Sequence, residues 1–513
     1  MDVINQIMDD LREGRIDPAH LAELLATLQR HLHESEQKLQ ATEQELQAAK
    51  QRIAELEQQF GVSTPTPKLD EPFSTRAEEQ RQEKRGKKKR KRKPRVRRGR
   101  LKTADKIALA ERFEDVFPDG FDPSDCHFSH IRPVWRLENG RAVLVAYRIY
   151  RGPNNQYGII PGVLGKSEFG LEIVIEIAYL VYVLGLSFDK VCQLLHFFQN
   201  LKISKSQLDA LLRRLAGHWQ HQFDVLCTLL ANSLVVHTDE TRWSLNSVWA
   251  FLSEKARLLF FGVHKDAATL KEILDPDSFA GLVFSDDAAV YGNFTAAQKC
   301  WAHLLRKAIK LTLQDPSNAD YRQFTDRLLA IYRAACRIQR DRRLREAGRA
   351  RQVGPLEDQI LELCRAQWLL QAPPPDGLAH DYYLLVHEVM RLMLSQELFR
   401  FVTAPPVEQP NGQTKTVDGT NNEAERTLRG AADARKTGRT NKTLDGARRQ
   451  TILTSVLESL RLYLPTFTLE HVTAEISRWL EKGRSCYEEL LEKLQIPQPQ
   501  QSVLDRVLPS PSG

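Results

Sequence analysis

Apolar residues recur every seven positions near the start of the chain, at Leu25, Leu32, Leu39, Leu46, Ile53 and Phe60, with Leu28, Ala49 and Leu56 on the neighbouring seam. A seven-residue stripe stays aligned only if helices wind around each other, so residues 1–62 are expected to form a left-handed coiled coil joining at least two copies of the chain. Ser35 and Thr42 interrupt the second seam, and the competing reading is one amphipathic helix lying on the protein's own body. Three prolines between Thr64 and Pro72 end the pattern, and residues 63–102 read as a flexible linker.

From 103 to 165 the signals are mixed: a short helix over Ala104 to Phe113, turns rich in Pro, Gly and Asp, then an alternating strand at Ala142 to Tyr147. Residues 166–230 are helical. Within them Ser187 to Leu195, a turn at Asn200 to Ser204, and Lys205 to Ala216 read as helix, turn, helix, with Lys205, Arg213 and Arg214 on the second helix. That pattern suits a DNA-reading helix and equally suits a plain bundle. The apolar run Ile173 to Phe188 is broken by Glu176 and falls short of the roughly 20 residues of a membrane span.

A strand signal opens at Leu234-Val235-Val236 and ends in Asp239. Two strand-like runs come next, Val248 to Ser253 and Leu258 to His264, then a helix (Ala267 to Leu274), a strand Gly281 to Phe284 ending in Asp286 and Asp287, a short strand Lys299-Cys300-Trp301, and a helix from His303 to Leu313. Three antiparallel strands, a crossover helix and two more strands is the ribonuclease-H-like order. The predicted fold is therefore multidomain and mainly α, with an α/β ribonuclease-H-like core containing a five-stranded mixed sheet. The core's first part spans 231–314 and its second part 416–465. Between them residues 315–415 form a helical insertion (Tyr321 to Ala350, Pro355 to Leu370, His380 to Phe401). Leu444 to Leu464 is expected to pack on the sheet, and 466–513 to hold a helical pair and a disordered tail from Pro497.

Charge changes this picture in one place. The net charge is +7, yet Lys84 to Lys102 alone holds fourteen Lys or Arg and no acid, leaving the remainder at −7. Such a run, with Lys87, Lys88, Lys89, Arg90 and Arg92 at its centre, points to nucleic acid, with an anionic membrane or a solvated linker as lesser readings. Seven scattered cysteines and an acidic N-terminus without a signal pattern imply a reducing, cytoplasmic setting. Cys126, His127 and His130 lie close together, but no second Cys/His pair comes after them at finger spacing, so no structural zinc is expected.

Candidate chemistry rests on carboxylates. In the predicted topology Asp239 and Asp286 end adjacent strands, where two acids repel unless a hard cation such as Mg²⁺ or Mn²⁺ lies between them. Glu425 is the candidate third ligand, on the first turn of a helix capped by Asn421 or Asn422; the plain alternative is an ion pair with Arg429. Asp287 rivals Asp286, and Glu423 rivals Glu425. His303 is a supporting candidate for contact with a phosphate or water, or else a structural histidine beside Trp301. Arg426, Arg429, Arg435, Lys436, Arg439 and Lys442 suit strand phosphates near the third acid, with Arg306 and Lys307 weaker candidates.

The segments HTDETRW, SDDAAVYGNF, KCWAHLLRKA, TNNEAERTLR and RKTGRTNKT, with GARRQTILTSVLESL, resemble the signature blocks of bacterial transposases of the insertion-sequence-66 family. The resemblance covers about 165 to 465 and implies a DDE enzyme with Asp239, Asp286 and Glu425 as catalytic metal ligands. It would use Mg²⁺ to nick double-stranded DNA at transposon ends and join the freed 3′-hydroxyls to a target, near the bacterial nucleoid and with possible helper proteins. The family's cysteine-rich zinc module is reduced here to Cys126, His127 and His130. Alternatives are a nuclease that cuts without joining, and a transposase-derived DNA-binding regulator without catalysis.

Overall fold

The computed structural model describes residues 102–508 except 371, together with isolated helical positions between 26 and 51. The chain divides into two units, 1–98 and 99–513, and every strand among the described residues belongs to the second. The coiled-coil seam residues and Lys87, Lys88, Lys89, Arg90 and Arg92 lie outside the described residues.

The N-terminal part of the second unit is a small sheet. Helix α1 (Thr103–Ala108) is shorter than its sequence suggests because none of its residues is buried. Phe113 instead joins strand β1 (Arg112–Val116), which pairs in parallel with β3 (Arg141–Arg151), and β2 (His127–Glu138) pairs antiparallel on β3's other side. His127 and His130 lie on β2, and the Cys126 thiol donates to the Asp122 carbonyl oxygen at 3.4 Å.

Next come helices α2 (Leu171–Ala178), α3 (Phe188–Gln199) and α4 (Lys205–Ala231). A π-helical turn, Tyr179–Val183, ends the apolar run, and Gly185 at φ +66° reverses the chain. The helix–turn–helix exists as read: Ser187 caps α3, Asn200 is left-handed, and Ser204 with Gln207 forms a capping box on α4. Its second helix, however, runs on to Ala231 and buries Leu208, Leu212, Leu215, Trp219 and Phe223 in the main core. Lys205 pairs with Asp189 at 2.6 Å and Arg213 with Asp209 at 2.9 Å, so two of the three cations offered for DNA reading meet acids of this same hairpin.

The central sheet has the order β6-β5-β4-β7-β8, from β4 (Val235–Arg242), β5 (Ser247–Ser253), β6 (Arg257–Val263), β7 (Leu282–Ser285) and β8 (Ala297–Lys299). β4, β5 and β6 form an antiparallel meander, while β7 and β8 join in parallel after the crossover helix α5 (Ala267–Ile273). This five-stranded mixed sheet is consistent with a ribonuclease-H-like core. The fifth strand ends two residues before Trp301, whose fully buried ring instead begins α6 (Trp301–Gln314).

Between α6 and the third acid lies the helical insertion, α7 (Ala319–Arg340), α8 (Glu346–Trp368), α9 (Gly377–Leu394) and α10 (Arg400–Thr403), with its own core of Phe324, Leu328, Ile360, Val386 and Val389. The first break comes at Asp341, earlier than expected, and Pro355 lies inside α8 rather than starting it. Val235, Phe284 and Trp301 join this core to one face of the sheet. A short hairpin, β9 (Val407–Glu408) with β10 (Thr414–Lys415), then leads to α11 (Asn422–Lys436).

β6 is an edge strand, and its open amides are covered from the side. Helix α12 (Leu444–Leu460) presents hydroxyls at every fourth residue. Thr451 Oγ1 accepts from Phe261 N, Ser455 Oγ from Leu259 N and Ser459 Oγ from Arg257 N, at 2.9 to 3.0 Å. The helix thus blocks pairing with another chain's strand. Replacing Ser455 by Ala leaves a buried N–H without a partner and is expected to cost about 1–3 kcal/mol of unfolding free energy in denaturant titration.

Helices α13 (Leu469–Lys482) and α14 (Cys486–Lys493) come after α12. The expected tail is not loose up to Leu508: Leu504 on α15 (Val503–Val507) is fully buried, and Ser502 Oγ donates to Asp224 Oδ1 at 2.8 Å. Among the described residues no helix is long and apolar enough to cross a membrane.

Candidate active site

β4 does not stop at Asp239; it continues to Arg242 along β5, with Asp239 opposite Ala250. What stops is the parallel partner. β7 pairs with β4 only from Val235↔Leu282 to His237↔Phe284, so two residues beyond the last pair Asp239 and Asp286 stand at the same level. Alternation along a strand sends Asp239 and Glu240 to opposite faces. Glu240 is taken up by the Tyr291 hydroxyl and the Lys265 ammonium. Asp239 shares its face with Val235 and His237, toward the insertion. His237 stacks on Phe284, with ring centroids 4.5 Å apart, and burial holds its imidazole neutral with a pKa near 4.

Asp286 lies just past the end of β7, where its Oδ1 accepts from Ala288 N at 3.1 Å. Asp287 turns instead to Arg391 of α9 in a short ion pair. Beneath them Lys299, 3 % exposed, donates to Ser285 Oγ at 3.1 Å, and burial depresses its pKa.

Glu425 lies on the first turn of α11. Asn421 occupies the N-cap position, but its side chain does not cap. Fully buried, it donates through Nδ2 to the Thr238 carbonyl oxygen at 2.7 Å, while its own N–H donates to Cys300 Sγ at 3.1 Å. The start of α11 is thereby bolted to β4 next to Asp239 and to the start of α6. Glu425 pairs with Arg306 of α6 at 2.6 Å, not with Arg429, and His303 Nε2 lies 3.6 Å from the same oxygen. Its rival Glu423 is spent on Lys415 and Arg257. Burial works to raise its pKa, but those two cations outweigh it and hold the carboxyl near 2.

Burial pushes Asp239 up to about 7, and the neighbouring charges of Glu240, Asp286 and Glu425 add to the rise; a backbone N–H from Glu240 and the nearby charges of Lys265 and Arg306 oppose it. The fold gives Glu240, Glu425 and Asp287 each a cation of its own, and among the described residues leaves Asp239 and Asp286 without an ion pair. Two unpaired carboxylates at one level of the sheet, with their oxygen donors, fit a hard divalent cation. Among the described residues the ligand atoms that lie within 4.8 Å of one another are those of Cys300, His303 and Glu425, a softer set at the same corner; the oxygens of Asp239, Asp286 and Glu425 do not all meet within that distance. A cleft of about 580 Å³ opens beside the acids, lined by Asp286, Asp287, His303, Lys307, Glu388 and Arg391.

The predicted DNA contacts separate into two groups. Arg426 and Arg429 are exposed, their side chains without a hydrogen bond or ion pair among the described residues. Arg435 instead donates to the Arg242 carbonyl oxygen at 3.0 Å, Arg439 to that of Gly185 at 2.8 Å and Lys442 to Thr440 Oγ1 at 3.3 Å, while Lys436 lies 3.9 Å from Asp433. Sequence reasoning missed Arg391, Glu388 and Lys299: the first two come from the insertion, about a hundred residues away, and no local pattern marks them.

The family model described as Transposase IS66 family matches residues 166–449, a span holding β4 to β8, the insertion, Asp239, Asp286 and Glu425. The chain belongs to the IS66 transposase family. Comparison with curated proteins gives no match. The transposase domain so delimited begins after the small sheet of β1 to β3 and ends inside α12, so α13 to α15, which pack on its core, lie outside the matched span.

Proposed function

We propose that this IS66-family chain is an active DDE transposase in which Asp239, Asp286 and Glu425 form the catalytic site, with Mg²⁺ or Mn²⁺ as cofactor. The observation that carries the reading is the convergence of three carboxylates from distant segments beside a parallel strand end, one of them lifted to about 7 by burial and its neighbours. Two divalent cations, when bound, supply charge stabilisation to the attacking and leaving oxygens of an in-line phosphoryl displacement. Asp239 and Asp286 hold their positions because the sheet does; Glu425 holds its own because Asn421 ties α11 to Thr238. In the first step water attacks the phosphodiester at each element end and a 3′-hydroxyl leaves. In the second, that hydroxyl attacks a target-strand phosphodiester in the same site, the new P–O bond replacing the bond to the target's own 3′-oxygen, which leaves as a hydroxyl. Arg426 and Arg429, exposed one and four residues past Glu425, bind the phosphates that flank the scissile bond. The basic run from Lys84 holds duplex DNA without regard to sequence, and the N-terminal helices pair two chains.

The test is incubation of the purified protein with labelled duplexes from the DNA flanking its gene, with and without Mg²⁺. Metal-dependent cleavage followed by joining is the expected result. Cleavage without joining would make the protein a nuclease, and binding without cleavage a regulator.

A further inference from the structure

We infer that the exposed face of α7, the insertion's first long helix, docks on the phosphate backbone of duplex DNA, alongside the active site. The inference rests on the transposase reading for its partner but stands on separate observations. Residues 319–351 hold ten arginines, no lysine and four acids, a net charge of +6 in a chain that is acidic outside its basic run. The apolar face of α7 is spent on Tyr321, Phe324, Leu328, Ile331 and Ala335, buried in the insertion core. On the opposite side Arg322, Arg333, Arg337 and Arg340 fall within about 60° of one another at 3.6 residues per turn.

All four are exposed, and none of their side chains has a hydrogen bond or ion pair among the described residues. Asp326 is the acid on that face. Arg343 consumes Asp341 just beyond the helix at 2.7 Å, leaving the stripe unneutralised at that end. An arginine-only stripe suits phosphate in particular, because each guanidinium can present two parallel N–H donors to one phosphate. From Arg322 to Arg340 the stripe runs about 27 Å at 1.5 Å per residue, roughly the length of eight base pairs.

Position ties this face to the chemistry. Tyr332 on α7 donates its hydroxyl to the Asp418 carbonyl oxygen at 2.9 Å, and Asp418 Oδ1 accepts from Thr420 N at 3.0 Å in the loop that leads into α11. Arg333 comes directly after Tyr332, so the stripe borders the loop that sets Glu425. With Arg426 and Arg429 unpartnered on α11 among the described residues, the cations extend from the third acid onto the insertion.

The test is fluorescence anisotropy of the full chain on a labelled random-sequence duplex, between about 50 and 200 mM salt. Each phosphate contact contributes about 0.9 to the slope of log affinity against log salt, so replacing all four residues (Arg322→Gln, Arg333→Gln, Arg337→Gln, Arg340→Gln) should reduce that slope by about 2 to 4. Affinity at low salt should fall at least about 10-fold, with the melting temperature unchanged because no side-chain hydrogen bond or ion pair is lost. The matching set of four Arg→Lys changes should restore most of the slope. If the glutamine variant melts early, the single changes decide, each expected to lower the slope by about one. An unchanged slope in folded protein overturns the inference, and an unchanged slope with a drop in molecular mass by light scattering assigns the face to contact between copies instead. Absence of metal-dependent cleavage by the wild type would sink the transposase reading but leave this slope difference standing, so the two fail separately.

Discussion

Replacing Asp286 by Asn is expected to abolish metal-dependent strand cleavage, a loss of at least about 10³-fold, while DNA binding stays intact. The size comes from removing one of the three carboxylates proposed to hold the divalent cations that would stabilise the reacting phosphate, where a single preorganised electrostatic group is worth about 10²–10³ in rate and a metal ligand more. Asp287→Asn should cost far less. Asp286 contributes to the raised pKa of Asp239, whereas Asp287 is engaged by Arg391 of the insertion. Its loss frees α9 from the strand end and should show as a modest drop in melting temperature, with activity within about 10-fold of wild type. Single-turnover cleavage of a labelled end duplex reads both variants; an active Asp286→Asn protein beside a dead Asp287→Asn protein would reverse the assignment.

The second large effect concerns Asp239 and pH. Its carboxyl titrates near 7 in the fold, against an ordinary value of 3.8. Below pH 3.8 folded and unfolded chains are both protonated and the group is neutral to stability. Between 3.8 and 7 the folded protein holds a proton that the unfolded chain has released, so the contribution of this group falls as pH rises, and above 7 the penalty is complete. One pKa unit corresponds to about 1.4 kcal/mol, which limits the penalty to about 4 kcal/mol. The cation-free protein should therefore lose stability from about pH 4 to about pH 7, and Asp239→Asn should recover it at the upper end. A variant that removes this proposed catalytic acid is expected to melt several degrees above the wild type. That is the signature of a site whose charge is held for a ligand.

The sheet was legible because its strands are buried on both faces and read as short apolar runs ending at turn residues. The level of Asp239 against Asp286 came from the strand order those runs imply. Residues decided by distant contacts were not legible. Thr238 to Arg242 looks like a turn because it is polar, yet it remains a strand, since β5 still pairs with it after β7 has left. Trp301 looks like a strand residue because it is aromatic, but it fills the insertion core from the first turn of a helix. Asn421 looks like a helix cap, and it serves a partner 183 residues back in the chain. Leu504 looks like part of a tail because Pro and Ser surround it, but α5 offers it a core to enter. In each case a single long-range contact outweighs the local preference, and such contacts leave no period in the sequence.

The central claim is that Asp239, Asp286 and Glu425 together bind divalent cation, and the most direct test is a melting titration with Mn²⁺ at about pH 8, above the range where Asp239 titrates. It compares the wild type with the Asp239→Asn protein, neither bound to DNA. Wild-type stability should climb with Mn²⁺ as the cation relieves the repulsion at Asp239, while the variant starts higher and gains almost nothing. Equal gains in the two proteins, or no gain in either, would contradict the account.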